Sequence, residues 1–251
     1  MIQYASCSFP GDRESNEDAV RVRDTLPEGI CAVLADGLGG HGGGAQASQT
    51  AAAVICDGWT AAATPDSLLR LTQEANRRIL SLQTPSCQMK TTAVVLSVTG
   101  GRFDWASIGD SRLYHFLNGA LCWQTTDHSA SQLAVLLGQI NQVEIRFHED
   151  RSRLYRALGL RNSPGAEAGT IPWSEGLHAF LLCSDGFWEP VKEDEMEKTL
   201  RSAQNPEDWL SRMCALLEQR ETRDNYSAIA VWAWNRSGRE RRNEKAGLMP
   251  L

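Results

Sequence analysis

Four short apolar runs crowd into the middle of the chain, at residues 92–98, 102–108, 113–116 and 121–123, with only three or four residues between neighbours. A parallel crossover needs a dozen or more residues, so connections this short imply antiparallel neighbours. The separators are turn chemistry: Gly100-Gly101, Gly109-Asp110 and Asn118-Gly119. Asn-Gly between two apolar runs is the strongest short-range hairpin signal.

Further strand-like segments lie at residues 2–9, 19–23 and 30–35, and again at 177–183 and 226–234. Helical patterns come in pairs. Residues 44–63 are rich in alanine, with Val54, Ile55 and Trp59 as a buried stripe. Thr64-Pro65-Asp66 then reads as an N-cap, a proline at the first helical position and an early carboxylate. Behind it Leu68, Leu71, Ala75, Ile79 and Leu82 recur at three and four, which makes one apolar helix face. Residues 193–203 and 206–221 form a second pair. The order strands, two helices, many strands, two helices, strand does not suit alternating βαβ units. It predicts an α+β fold, a four-layer αββα sandwich of two antiparallel β-sheets packed face to face, with helix pairs on both outer faces.

At 251 residues the chain suits one large domain, residues 1–235, followed by a tail at 236–251 that reads as disordered and solvated. The net charge of −6 argues against a nucleic-acid partner, whose backbone demands clustered Lys and Arg. Neither a membrane span nor a signal peptide is evident, so the expected location is the cytoplasm. Seven scattered cysteines, none in a C-x-x-C pair, support neither a zinc site nor a disulfide framework.

Acidic residues sit at turns beside apolar strands again and again. Residues 31–35 lead into Asp36-Gly37, residues 105–108 into Gly109-Asp110, and residues 180–184 into Asp185-Gly186. Asp224-Asn225 precedes the last strand, and Glu17-Asp18 lies between the first two. A single Asp-Gly is ordinary turn chemistry. Five such acids at the ends of well-formed strands are a candidate metal site. Converging carboxylates would raise one another's pKa, and hard divalent cations such as Mg2+ or Mn2+ remove that penalty.

The ordered set Arg13-Glu14-Ser15-Asn16-Glu17-Asp18, Asp36-Gly37-Leu38-Gly39-Gly40-His41, Gly109-Asp110-Ser111-Arg112, Thr126-Asp127-His128-Ser129, Ser184-Asp185-Gly186 and Asp224-Asn225 resembles the motifs of the protein phosphatase 2C (PPM) family, in its bacterial form. The resemblance covers residues 1 to about 234. It implies a protein-serine/threonine phosphatase with two Mg2+ or Mn2+ ions. Asp36 would bridge them, with the Gly37 carbonyl on the first and Asp18, Asp185 and Asp224 completing the second. Glu17 would stand behind these ligands. Asp110 matches a ligand of a third, looser ion, and Glu189 stands where the family often has another acid. Arg13 matches the phosphate-clamping arginine, whose planar fork suits two phosphate oxygens. Arg112 and His128 read as structural.

By the same resemblance a hydroxide shared by the two ions would attack phosphorus in line, without a covalent phosphoenzyme. Leu38 occupies the position where eukaryotic relatives often carry a histidine, so the general acid stays unassigned, and His41 reads as packing or capping of the glycine-rich turn. Residues 129–173 fall where the family carries a mobile flap beside the site. The implied partners are phosphorylated proteins, targets of a cognate Ser/Thr kinase. The competing reading is a non-catalytic phosphoprotein-binding regulator of the same fold, but such members usually lose metal aspartates, and all four principal ones are present.

Overall fold

A computed structural model describes residues 1–38, 43–161, 165–220 and 222–235. The glycine-rich turn with His41, residues Ser163 and Pro164 of the expected flap, and the tail lie outside the described residues. Two five-stranded antiparallel sheets form the centre. One runs β1 (Ile2–Phe9), β12 (Tyr226–Asn235), β11 (Gly176–Cys183), β8 (Arg112–Leu117), β9 (Ala120–Gln124). The other runs β10 (Glu167–Ile171), β7 (Arg102–Ile108), β6 (Ala93–Thr99), β3 (Gly29–Ala35), β2 (Ala19–Asp24). A two-residue ladder, β4 (Gly37–Leu38) with β5 (Lys90–Thr91), closes the rim near Asp36.

Alternation along single strands explains the layers. In β3, Ile30, Ala32 and Leu34 face the core between the sheets, where they meet Leu96, Phe180 and Ile229. Cys31, Val33 and Ala35 face the other way, into a core roofed by α1 (Gly43–Gly58) and α2 (Pro65–Leu82). β11 does the same: Phe180 and Leu182 point inward, while Ala179, Leu181 and Cys183 pack under α5 (Glu193–Ser202) and α6 (Pro206–Glu218). Strands buried on both faces read as unbroken apolar runs, and all seven residues of β3 and of β6 are buried. The four-layer sandwich expected from the sequence is the fold observed.

Local chemistry sets the boundaries. The Thr64 side chain accepts from the Ser67 amide and Ser67 Oγ accepts from the Thr64 amide, a reciprocal cap at the start of α2. Asn118 and Gly119 both take positive φ, 52° and 84°, as a two-residue hairpin turn between β8 and β9 requires. Helix α1 stops at Gly58, five residues short of the expected end. Trp59 leaves the helix but stays buried, its indole donating to Ser97 Oγ at 2.9 Å. The expected flap segment also proves partly structural. It holds α3 (Ala130–Leu136) and a 3-10 helix (Gln142–Phe147), but residues 167–171 are β10, registered against β7 from Glu167↔Ser107 to Ile171↔Phe103. No described helix is long and apolar enough to cross a membrane.

Candidate metal centre

Register brings the acidic turns to one rim. Ala35, the last residue of β3, pairs with Ala19, the first of β2, so Asp36 and Asp18 sit on adjacent strand ends. Ile108 closes β7 against Ala93, beside that same end, and Gly109-Asp110 follows. In the facing sheet Cys183 closes β11 against Ala228, near the start of β12, so Asp185 and Asp224 share an edge. Gly186 makes that closeness possible. A Cβ there would sit 2.2 Å from the Asn225 carbonyl oxygen.

Each carboxylate is anchored by its backbone. The Asp36 amide donates to Thr92 Oγ1 at 2.9 Å, and its carbonyl accepts from the Thr92 amide at 2.9 Å and Thr91 Oγ1 at 2.7 Å. The Asp18 amide donates to Asn16 Oδ1, an Asx turn. Ser184 Oγ donates to Asp18 Oδ2 at 3.0 Å, across the two sheets. Trp188, at the end of the short helix α4 (Asp185–Trp188), donates its indole N–H to the Asp110 carbonyl at 2.9 Å. Asn225 is the clasp of the site. Its Oδ1 accepts from the Glu17 amide and its Nδ2 donates to the Pro10 and Ser15 carbonyls, at 2.8–2.9 Å. That fastens the Arg13 loop to the turn bearing Asp224.

The electrostatics are those of uncompensated like charge. Burial pushes Asp36 well above the usual carboxylate range, and Asp185, Asp18 and Asp110 push it further. Asp110 is raised by burial and then by Asp185 and Asp127. Asp185 is raised by burial and by Asp224. Asp18 is pushed up to about 7 by burial, against the hydrogen bonds from Ser227 and Ser184 that favour its charged form. Glu189 is also pushed up to about 7, by burial and by Asp185, although Arg151 lies 2.8 Å from its Oε1. Burial raises Glu17 as well.

Among the described residues, two buried oxygens, Asp18 Oδ1 and Asp110 Oδ1, have no hydrogen-bond partner. Unsatisfied buried carboxylate oxygens are costly and call for a cation or a proton. Among the described residues no three acidic, histidine or cysteine side chains already close on a point as a ready ligand cage. The fit to a cation rests on the orphaned oxygens and on the mutual electrostatics, and the all-oxygen donor set suits hard ions.

A carboxyl whose pKa is raised by folding keeps its proton in the native state after the unfolded chain has lost its own. Stability then falls as pH rises through that interval. For Asp18 and Glu189 the interval runs from about 4 to about 7. The protein in EDTA should therefore lose about 2.5 kcal/mol for each of these two groups between pH 5 and pH 8, about 5 kcal/mol together, and melt markedly lower at the higher pH. Scanning fluorimetry reads this directly. A melting temperature that is flat or rises over that interval would contradict the clustering.

Arg13 is exposed and donates to Asp224 Oδ2 at 2.9 Å. Glu17 is half-buried against Gly44, where a Cβ would lie 2.4 Å from its carboxylate oxygen. Gly37 is packed equally tightly against the backbone of Gly44 and Glu17. Arg112 is buried in a paired interaction with Asp127. The ring of His128, also buried, accepts the Gly109 amide on Nδ1 at 3.0 Å. Neither side chain is turned to the carboxylate rim by these bonds. The sequence carried no sign of the Thr91-Thr92 hold on Asp36 or of the Arg151 contact to Glu189. Asn225 stood within a motif but without a role.

The pattern of protein phosphatase 2C matches residues 11–228. The serine/threonine phosphatase Stp of Listeria monocytogenes is 32% identical over 200 residues, which covers 76% of this chain and 79% of that protein. The crystal structure of the Mycobacterium tuberculosis serine/threonine phosphatase PstP superposes with a TM-score of 0.82 at 28% identity, covering 93% of this chain and 99% of that one. A structure of the PstP catalytic domain in complex with two manganese ions superposes at 0.80, with 27% identity and the same coverage. The chain belongs to the protein phosphatase 2C family, among its bacterial protein-serine/threonine phosphatases.

Proposed function

We propose that this chain hydrolyses phosphoserine and phosphothreonine in proteins, with two Mg2+ or Mn2+ ions held by Asp18, Asp36, Asp185, Asp224 and the Gly37 carbonyl, and a third held more loosely at Asp110. The observation that carries the reading is the meeting of five aspartates from both sheets at one rim, two of them with orphaned buried oxygens. The manganese bound by the related PstP domain supports the same cofactor class. Divalent cations at that point supply charge neutralisation and lower the pKa of water towards neutrality.

The protein's own groups do the rest. Asp18 and Asp36 on one sheet, with Asp185 and Asp224 on the other, fix where the reacting phosphate must sit. Arg13 supplies a planar fork for two phosphate oxygens. Its present partner, Asp224, is half exposed, and an exposed ion pair is worth little, so the guanidinium is free to exchange to substrate. Asn225 keeps the Arg13 loop in register with Asp224 while it does so. Glu17 and Glu189 stand behind the ligands. The substrates are phosphorylated proteins, targets of a cognate serine/threonine kinase, and the setting is the cytoplasm.

The purified protein should hydrolyse p-nitrophenyl phosphate when Mn2+ is added, and EDTA should abolish the activity. Metal binding by calorimetry with no turnover on any phosphopeptide would overturn the catalytic reading. Arg13→Ala should lower kcat/KM about 10-fold, mostly through KM, and leave stability within about 0.5 kcal/mol, as expected for an exposed side chain. Arg13→Lys should recover only part of the loss, because an ammonium cannot make the paired contact. Unchanged kinetics in Arg13→Ala would remove the clamp assignment.

A further inference from the structure

Cys7 and Cys214 lie 207 positions apart in the chain, yet their sulfurs are 3.6 Å apart. Cys7 is on β1, which among the described strands borders its sheet and pairs with β12. It shares the outward-facing side of that strand with Ala5, and both pack on the core beneath α5 and α6. Cys214 lies on α6, on the face that also carries Leu210 and Leu217. Both residues are half-buried rather than sealed in the core. A disulfide needs the sulfurs at about 2.05 Å, a closure of about 1.5 Å that side-chain rotation on an edge strand can supply.

We propose that Cys7 and Cys214 are an oxidisable dithiol, a modification site at which a hydroperoxide such as hydrogen peroxide drives a disulfide between the N-terminal strand and helix α6.

The two sulfurs share one S–H···S contact, in which either can be the donor. The thiolate of one attacks the peroxide. It takes one oxygen, the O–O bond breaks, and it becomes a sulfenic acid while the departing hydroxide leaves as water with the proton that thiol had released. The second sulfur then attacks the first, the S–S bond forms and hydroxide departs with the second thiol's proton as a second water. In sum, two thiols and one hydrogen peroxide give one disulfide and two waters.

The other cysteines do not offer the same site. Cys31 and Cys56 approach each other but are sealed in the core, at 0% and 1% exposure. Cys183 is fully buried, Cys122 is exposed on the distant edge strand β9, and Cys87 packs against the separate core beneath α1 and α2. The proposal rests on the thiol geometry alone and is independent of the phosphatase reading.

The test uses the full chain carrying Cys122→Ser, which removes the exposed thiol. The folded protein is treated with hydrogen peroxide, alkylated and mapped by mass spectrometry. The expected result is a loss of the mass of two hydrogens, a linked peptide joining Cys7 to Cys214, and full reversal by dithiothreitol. Closing a loop of this length should raise the melting temperature of the oxidised form by about 5–10 °C. Cys7→Ser or Cys214→Ser should convert the product to a dimedone-reactive sulfenic acid on the remaining cysteine of the pair. Oxygen accumulating on either sulfur of the otherwise intact pair without a linked peptide would overturn the proposal. So would a linkage between other cysteines, or no reaction at a peroxide dose that oxidises Cys122 in the unsubstituted chain. The mapping on the Cys122→Ser protein decides the matter even if the further variants fail to fold.

Discussion

Replacing Asp36 by asparagine should lower Mn2+-dependent hydrolysis of p-nitrophenyl phosphate by more than about 100-fold, while raising the melting temperature of the metal-free protein. The first effect follows from position. Removing a group that only supports a metal ligand costs about 10- to 100-fold, and Asp36 would itself hold metal at the centre of the acidic cluster, so its loss should exceed that range. The second effect follows from electrostatics. Asp36 is raised by burial and by three other aspartates, so its ionised form works against the fold when no cation is present. A neutral amide of nearly the same shape relieves that repulsion. The two readouts move in opposite directions, which separates loss of the site from loss of the fold. Mn2+ should stabilise the parent protein, as any ligand of the native state does, and should stabilise Asp36→Asn much less. Near-normal turnover in this variant, or an unchanged response to Mn2+, would remove the centre from the rim.

The sandwich was legible because its strands are short, apolar and separated by turn residues that permit little else. Asn118-Gly119 alone settled the β8–β9 hairpin, since both residues had to take positive φ. The candidate site was legible for a related reason. An acid beside a strand end is aimed by the strand, so five Asp-bearing turns were candidates to converge once the strands were known to alternate in direction. What stayed hidden depended on partners far apart in the chain. The strand at Glu167–Ile171 contains Gly169 and follows a loop, and it is a strand only because the β7 edge is there to pair with it. Helix α1 stops early because the Trp59 indole finds Ser97 on β6, a contact no local pattern announces. The Asn225 clasp and the Cys7–Cys214 approach join positions more than 200 residues apart.

The same dependence on distant partners governs the rim's foundation. Arg112 Nε and NH2 donate to the two oxygens of Asp127 at 2.8 and 2.7 Å, with side-chain exposures of 3% and 1%. The guanidinium carbon lies 3.4 Å from the centre of the Trp188 ring, whose N–H holds the Asp110 carbonyl. Removing one partner of a buried pair strands the other charge, and Asp127→Ala should cost about 3–5 kcal/mol. Tyr114 and the half-buried Glu193 touch the same guanidinium, but neither can replace a paired carboxylate. Replacing both partners with apolar residues, Arg112→Met with Asp127→Leu, should recover most of that stability, because no buried charge remains. Turnover should recover less, since Trp188 would lose the nearer of the two cations over its ring and the Asp110 turn would lose its rigid floor. Urea denaturation of the single and double variants measures the first claim, and p-nitrophenyl phosphate kinetics the second. A cost below about 1 kcal/mol for Asp127→Ala would mean that the pair is solvated and cannot be what holds Asp110 against the α4 turn that begins at Asp185.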